Sequence, residues 1–188
     1  MKKIILLFAL ASLNFVHGQK KKSNAPVSNM VLAKSASATV AYNKKKDLFL
    51  VIQKDSMLLT KNKIDFNPTN VKITEFKVKT NTFYNVSWNA IEKKETPERK
   101  EIASIIENQI WNPVGKSLLI GNTQKIVDIT EIQFLDRLKT ASQTVIKKRT
   151  EGYAFTLLNT GEFTLSNKTS VQKYAFNEKT LKYELVKK

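Results

Sequence analysis

Apolar and polar residues alternate in short runs over most of the chain, the period-2 signature of half-buried strands. Residues 39–42 and 48–53 flank the polar Asn43-Lys44-Lys45-Lys46-Asp47 and read as a hairpin. Asp55-Ser56 reads as the next turn, before a strand at 57–60. After a break at Asn67-Pro68-Thr69-Asn70, residues 71–79 and 82–91 form a longer pair joined around Thr80-Asn81. Strands follow at 117–120 and 125–134. The C-terminal part reads as two hairpins, 153–158 with 162–166 and 171–176 with 180–186, turning at Asn159-Thr160-Gly161 and Asn177-Glu178-Lys179.

Two stretches carry helical periodicity instead. Thr96 is placed to cap a helix, with Pro97 at its first position and Glu98 in its first turn. Ile102, Ile105, Ile106 and Ile110 then recur at helical spacing until Asn112-Pro113 stops the element. A second helix is expected from Leu135 to about Arg149. Leu138, Ala141, Val145 and Ile146 mark its buried face, Lys147, Lys148 and Arg149 suit its negative end, and Gly152 is its cap. The pattern therefore predicts an α+β fold. In it, a mostly antiparallel sheet is packed by two amphipathic helices in a single domain over residues 38–188.

Val71-Lys72-Ile73-Thr74-Glu75-Phe76-Lys77-Val78 matches Val127-Asp128-Ile129-Thr130-Glu131-Ile132-Gln133-Phe134 in pattern. In both, the apolar phase slips at Thr-Glu, and a β-bulge at that dipeptide would return both apolar pairs to one face.

Charge changes the picture. Lys and Arg number 32 against 16 Asp and Glu, a net +16, and only Arg99, Arg137 and Arg149 are arginines. Lysine is a hydrated point charge, so general attraction to anionic surfaces fits better than specific nucleic-acid readout. Residues 1–18 read as a secretory signal peptide. Lys2 and Lys3 precede an apolar stretch at 4–13 that is too short to span a bilayer, and Val16 and Gly18 suit signal peptidase. Residues 19–37 read as a basic flexible N-terminal arm. Without Cys the product is not a lipoprotein, and without a second long apolar run no transmembrane segment is expected. The expected location is periplasmic or extracellular.

The composition also limits the chemistry. There is no Cys, and the only His is His17, inside the expected leader. That excludes disulfides, the usual structural zinc sites and Ser-His or Cys-His nucleophile pairs from the processed chain. No glycine-rich phosphate loop, calcium loop or acidic metal motif occurs, so no cofactor or metal is expected. Glu75 and Glu131 are the carboxylate pair to examine for glycan hydrolysis. Ser170-Val171-Gln172-Lys173 matches S-x-x-K but falls in a predicted strand, where its ends point to opposite faces.

Phe83, Tyr84 and Trp88 interleave with lysines, and the candidate ligand-binding set is Lys77, Lys79, Tyr84, Lys93 and Lys94. Alternation places Tyr84, Val86, Trp88 and Ala90 on one face, which favours packing for Trp88, and Trp111 is also read as packing. Asp55-Ser56-Met57 resembles the Asp-Ser/Thr-apolar acceptor for O-linked glycans on exported proteins of the Bacteroidota, which makes Ser56 a candidate for O-glycosylation.

The expectation is an exported, non-catalytic binding protein. Its lysine-rich surface suits an anionic envelope component, such as lipopolysaccharide or an acidic polysaccharide, or an acidic protein. A carboxylate-dependent glycan hydrolase and a non-specific nucleic-acid binder are the alternatives.

Overall fold

A computed structural model describes residues 30–62 and 66–186; the expected leader and most of the arm at 19–37 lie outside them. The chain lays down three antiparallel sheets, one after another, with strands neighbouring in sequence order. The first holds β1 (Met30–Lys34), β2 (Ala38–Tyr42), β3 (Leu48–Ile52) and β4 (Asp55–Thr60). The central sheet holds β5 (Thr69–Val78), β6 (Asn81–Thr96), β7 (Arg99–Asn112), β8 (Ser117–Phe134) and β9 (Ser142–Gly152). The third holds β10 (Ala154–Leu157), β11 (Phe163–Ser166), β12 (Val171–Asn177) and β13 (Lys182–Leu185). Part of the expected arm is thus strand, since β1 pairs with β2.

The fold is all-β, not α+β: among the described residues there is no helix. The stretch expected as the first helix is β7, paired with β6 and β8 along its whole length. Ile102, Ile106 and Ile110 are four apart, a spacing that keeps residues on one face of a strand as well as of a helix. β-branched side chains then favour the strand. Thr96 Oγ1 does accept the Arg99 N–H at 3.1 Å, the bond a helix cap would make. Here that bond closes a two-residue hairpin, with Thr96 opposite Arg99.

The second expected helix is a turn followed by β9. The Asp136 carboxylate accepts the N–H groups of Thr140 and Ala141, and residues 142–152 then pair in unbroken register with β8. Leu138 and Ile146, expected to be buried, are 84% and 79% exposed. Gly152 does adopt a left-handed conformation, φ 75°, but where the chain leaves β9 for β10.

No bulge occurs at either Thr-Glu pair: Ile73 to Phe76 and Ile129 to Ile132 run in continuous register. The phase slip has a different cause. Val71 and Ile73 pack into a core with Tyr84, Val86, Trp88 and Trp111 beneath the first sheet. Phe76 and Val78 pack with Phe83, Ile110, Phe163 and Tyr183 beneath the third. One strand therefore supplies two cores on opposite faces, and its apolar residues change parity where it passes from one to the other.

The two covering sheets sit over one end of the central sheet, here called the near end. Beyond them the β6–β7 and β8–β9 hairpins run on as a distal blade. β6 has sixteen residues but pairs with β5 only as far as Asn89. A third apolar cluster, Ala103, Val127 and Ile129, is buried in the blade although no sheet lies over it.

Candidate functional site

The register disperses the expected site residues. Lys77 lies opposite Thr82, and Lys94 is twelve positions further along β6, which separates them by about 40 Å of extended strand. Tyr84 is only 4% exposed, and its hydroxyl is 2.8 Å from Ser37 Oγ, so its ring is no platform for a ligand. Lys79 is paired with Glu178 at 2.7 Å beside a small surface groove. Lys93 and Lys94 line a groove of about 740 Å³ with Phe66, Trp88 and Ile105. Ser56 lies in β4 opposite Val51, and the turn before it is Gln53-Lys54. Trp88 and Trp111 are both buried in the core under the first sheet.

Glu75 and Glu131 are also far apart. Glu75 is level with Tyr84 and Trp111, and Glu131 with Arg99, twelve positions away along β7. That is about 40 Å along the strand, beyond the roughly 5–10 Å that two-carboxylate glycoside hydrolysis requires. Glu75 accepts a hydrogen bond from Ser37, which clips the β1–β2 turn to the near end.

Glu131 is engaged elsewhere, on the blade. Lys147 donates a hydrogen bond to it, and Arg99 lies at 3.2 Å and also binds Glu101 at 2.6 Å. The Lys147 hydrogen bond is the main cause that holds the Glu131 carboxyl below its ordinary range. The displaced carboxylates Asp47, Asp136, Glu162 and Glu184 are likewise held low, led by hydrogen bonds from Asn62, Thr140, Lys173 and Asn177 respectively. A general acid at neutral pH needs the opposite displacement. Among the described residues, no three acidic, His or Cys side chains come together as a metal site would require.

A different set does converge. Where β9 meets β10, Gly152 turns the chain off the central sheet, and Asn122 Nδ2 donates to the Tyr153 carbonyl at 3.0 Å. The third sheet is thereby set against the central sheet just where its coverage ends. The β11–β12 loop rises opposite, shaped by Asn167 Oδ1, which accepts the N–H groups of Thr169 and Ser170. Between them lies an open groove of about 780 Å³.

Its charged lining residues are Lys148, Arg149 and Lys168, with no Asp or Glu among them. Of the two on β9 only Lys148 shares the groove face, since Arg149 lies level with Val127 on the other face. Gln124, Thr150, Ser166 and Thr169 add neutral polar groups, and Tyr153 adds a ring. Lys148 is loosely paired with Asp128 at 3.4 Å, and Arg149 with Glu151 at 2.7 Å. Lys168 has no ion-pair partner among the described residues. The sequence reading missed this set because it placed Lys148 and Arg149 at the end of a helix. Nothing in the local sequence marks Lys168 as a neighbour of Lys148, since two strands, β10 and β11, intervene.

No helix among the described residues is long and apolar enough to cross a membrane. Compared with protein-family models, curated proteins and solved structures, the chain matches none of them.

Proposed function

We propose that this is an exported, non-catalytic binding protein that holds an anionic component of the cell envelope in the groove between β9 and the β11–β12 loop. The observation that carries this reading is that Lys148 and Lys168 face one groove whose lining holds no Asp or Glu. Asp128 holds Lys148 only at 3.4 Å, whereas on the adjoining blade Lys147 and Arg99 are bound closely into the Glu131 network. A wall of hydroxyl and amide groups with one tyrosine suits an acidic saccharide better than a nucleic-acid strand, which draws on several stacking rings. The separation of Glu75 from Glu131 and the low-held carboxylates favour binding over hydrolysis.

The test is calorimetric titration of the secreted chain with polygalacturonate and with neutral dextran at low and moderate salt. The acidic polymer is expected to bind, with an affinity that falls as salt rises, and dextran is not. Replacing both Lys148 and Lys168 with alanine is expected to weaken binding by about tenfold or more, as removal of two poorly screened charges should. Equal binding of dextran, or no loss in the double variant, overturns the assignment. Tighter, salt-sensitive binding of single-stranded DNA would replace it with the nucleic-acid reading.

A further inference from the structure

β6 is an inner strand of the central sheet that becomes an edge partway along. Its pairing with β5 ends at Asn89, opposite Thr69. The residue before Thr69 is Pro68, buried and without an N–H, so the chain has no donor there with which to carry the ladder further. From Ala90 to Thr96, β6 is paired on the β7 side alone among the described residues. Backbone groups of an antiparallel strand bond alternately to its two sides. Counted from Thr96, which closes the two-residue turn with Arg99, Ile91, Lys93 and Glu95 turn their N–H and C=O groups to the open side.

The groove of about 740 Å³ follows this edge. Five consecutive residues, Ala90 to Lys94, line it, and successive residues of a strand share a cavity along its edge rather than over either face. At its foot Ala90 is level with Ile105, next to Trp88 on the face that carries the first sheet, and Phe66 packs against the same core. Its charges differ in how they are engaged. Glu92 is held by Lys125 at 3.0 Å, and Glu107 accepts a hydrogen bond from Thr123 at 2.9 Å. Lys93 and Lys94 are exposed and have no ion-pair partner among the described residues.

We propose that this edge takes up an extended acidic segment of another polypeptide, added antiparallel to β6 in the lane that β5 leaves. Main-chain hydrogen bonds to Ile91, Lys93 and Glu95 supply the affinity, and side chains supply the choice. A large apolar side chain opposite Ala90 enters the hollow beside Phe66, Trp88 and Ile105. Carboxylates opposite Lys93 and Lys94 meet one lysine on each face, so the segment carries two acids in succession. Lysines on an open edge also turn away basic strands, and this chain carries +16, so an acidic partner is selected over a like one. A row of alternating amide groups matches a polypeptide, not the saccharide placed in the groove at β9.

The test is fluorescence anisotropy with the dye-labelled, end-blocked peptide Thr-Thr-Glu-Glu-Thr-Val-Phe, whose last residue falls opposite Ala90. The secreted chain is expected to bind it with a Kd below about 1 mM. Lys93→Glu with Lys94→Glu is expected to weaken binding by about tenfold or more. Both side chains are exposed, so the urea unfolding midpoint of that variant should not change. Amide exchange at Ile91, Lys93 and Glu95 should slow when the peptide binds. The same peptide N-methylated at the residues opposite those three keeps its charge but loses its ladder donors, and it is expected not to bind. Absence of binding at about 1 mM overturns the proposal. So does equal binding of the N-methylated peptide, which would reduce the contact to charge alone, or unaltered exchange at the three amides.

Discussion

The near and distal halves of the central sheet share strands and register but differ in what lies on them. At the near end each face supports a four-stranded sheet, and Val86, Phe83 and Ile110 are essentially inaccessible. In the blade the same strands continue as a single layer. On one face Ala103, Val127 and Ile129 are buried, flanked in register by Glu92, Glu101, Lys147 and Arg149, and the other shows isoleucine to solvent. Stability belongs to the first half. The surface available to partners belongs to the second, and the cationic groove sits at the boundary between them.

The sharpest way to break this contrast is to remove equivalent apolar mass from each half. Phe83 contacts the rings of Phe76, Phe176 and Tyr183, so Phe83→Ala is expected to cost about 3–5 kcal/mol in urea unfolding. Ile146→Ala in the blade is expected to change stability by less than about 0.5 kcal/mol. Comparable losses at both positions would mean that the blade is already covered in the isolated chain.

Smaller effects are expected where the covering sheet is anchored. Gly161 has φ 81°, and a Cβ there would collide with Val78 Cγ2 and lie 3.2 Å from Phe76. Its carbonyl also accepts the Tyr183 hydroxyl at 2.9 Å. Gly161→Ala is therefore expected to lower stability by about 1–3 kcal/mol, through backbone strain and overpacking together. An unchanged unfolding midpoint would show that the third sheet is loosely seated and the two halves less distinct.

The mildest effect is one of pH, and in β8 and β9 its source is Glu131. The Glu131 carboxyl is held below its ordinary value of 4.5, chiefly by the Lys147 hydrogen bond. A depressed carboxylate stabilises the folded state above the unfolded pKa and loses that contribution as pH falls through the folded one. Protection of the β8 and β9 amides, corrected for the intrinsic pH dependence of exchange, should therefore weaken as pH falls from about 5 towards about 3, and Glu131→Gln should remove most of that change. The low-held Asp47, Glu162 and Glu184 give the near end its own acid response, which Glu131→Gln should leave in place. An unaltered response of β8 and β9 in the variant would place the acid-sensitive contacts of the blade elsewhere.

Much of the strand content was legible because alternation is local. The hairpins at β2–β3, β10–β11 and β12–β13, and the packing role of Trp88, follow from residues close in sequence. The helices were misread because an i, i+4 spacing of isoleucine satisfies both geometries, and the Thr96–Arg99 bond serves a helix cap and a hairpin alike. At the candidate site, Lys148 was visible as a charge. Its position opposite Lys168 was not, since it depends on how the third sheet turns at Gly152 and is held by Asn122.

The sequence by itself determined a basic chain, with no Cys and with its one His at residue 17, rich in alternating strands. Those are properties of composition and of neighbours, which need no fold to be read. Only the tertiary structure decided that one sheet carries two cores, because the parity change in β5 has meaning only once a layer lies on each face. It alone decided that Glu75 and Glu131 stand about 40 Å apart, since pairing register converts sequence position into distance along long strands. It also decided that β6 to β9 outrun their cover, because the lengths of separate elements become comparable only when they are stacked.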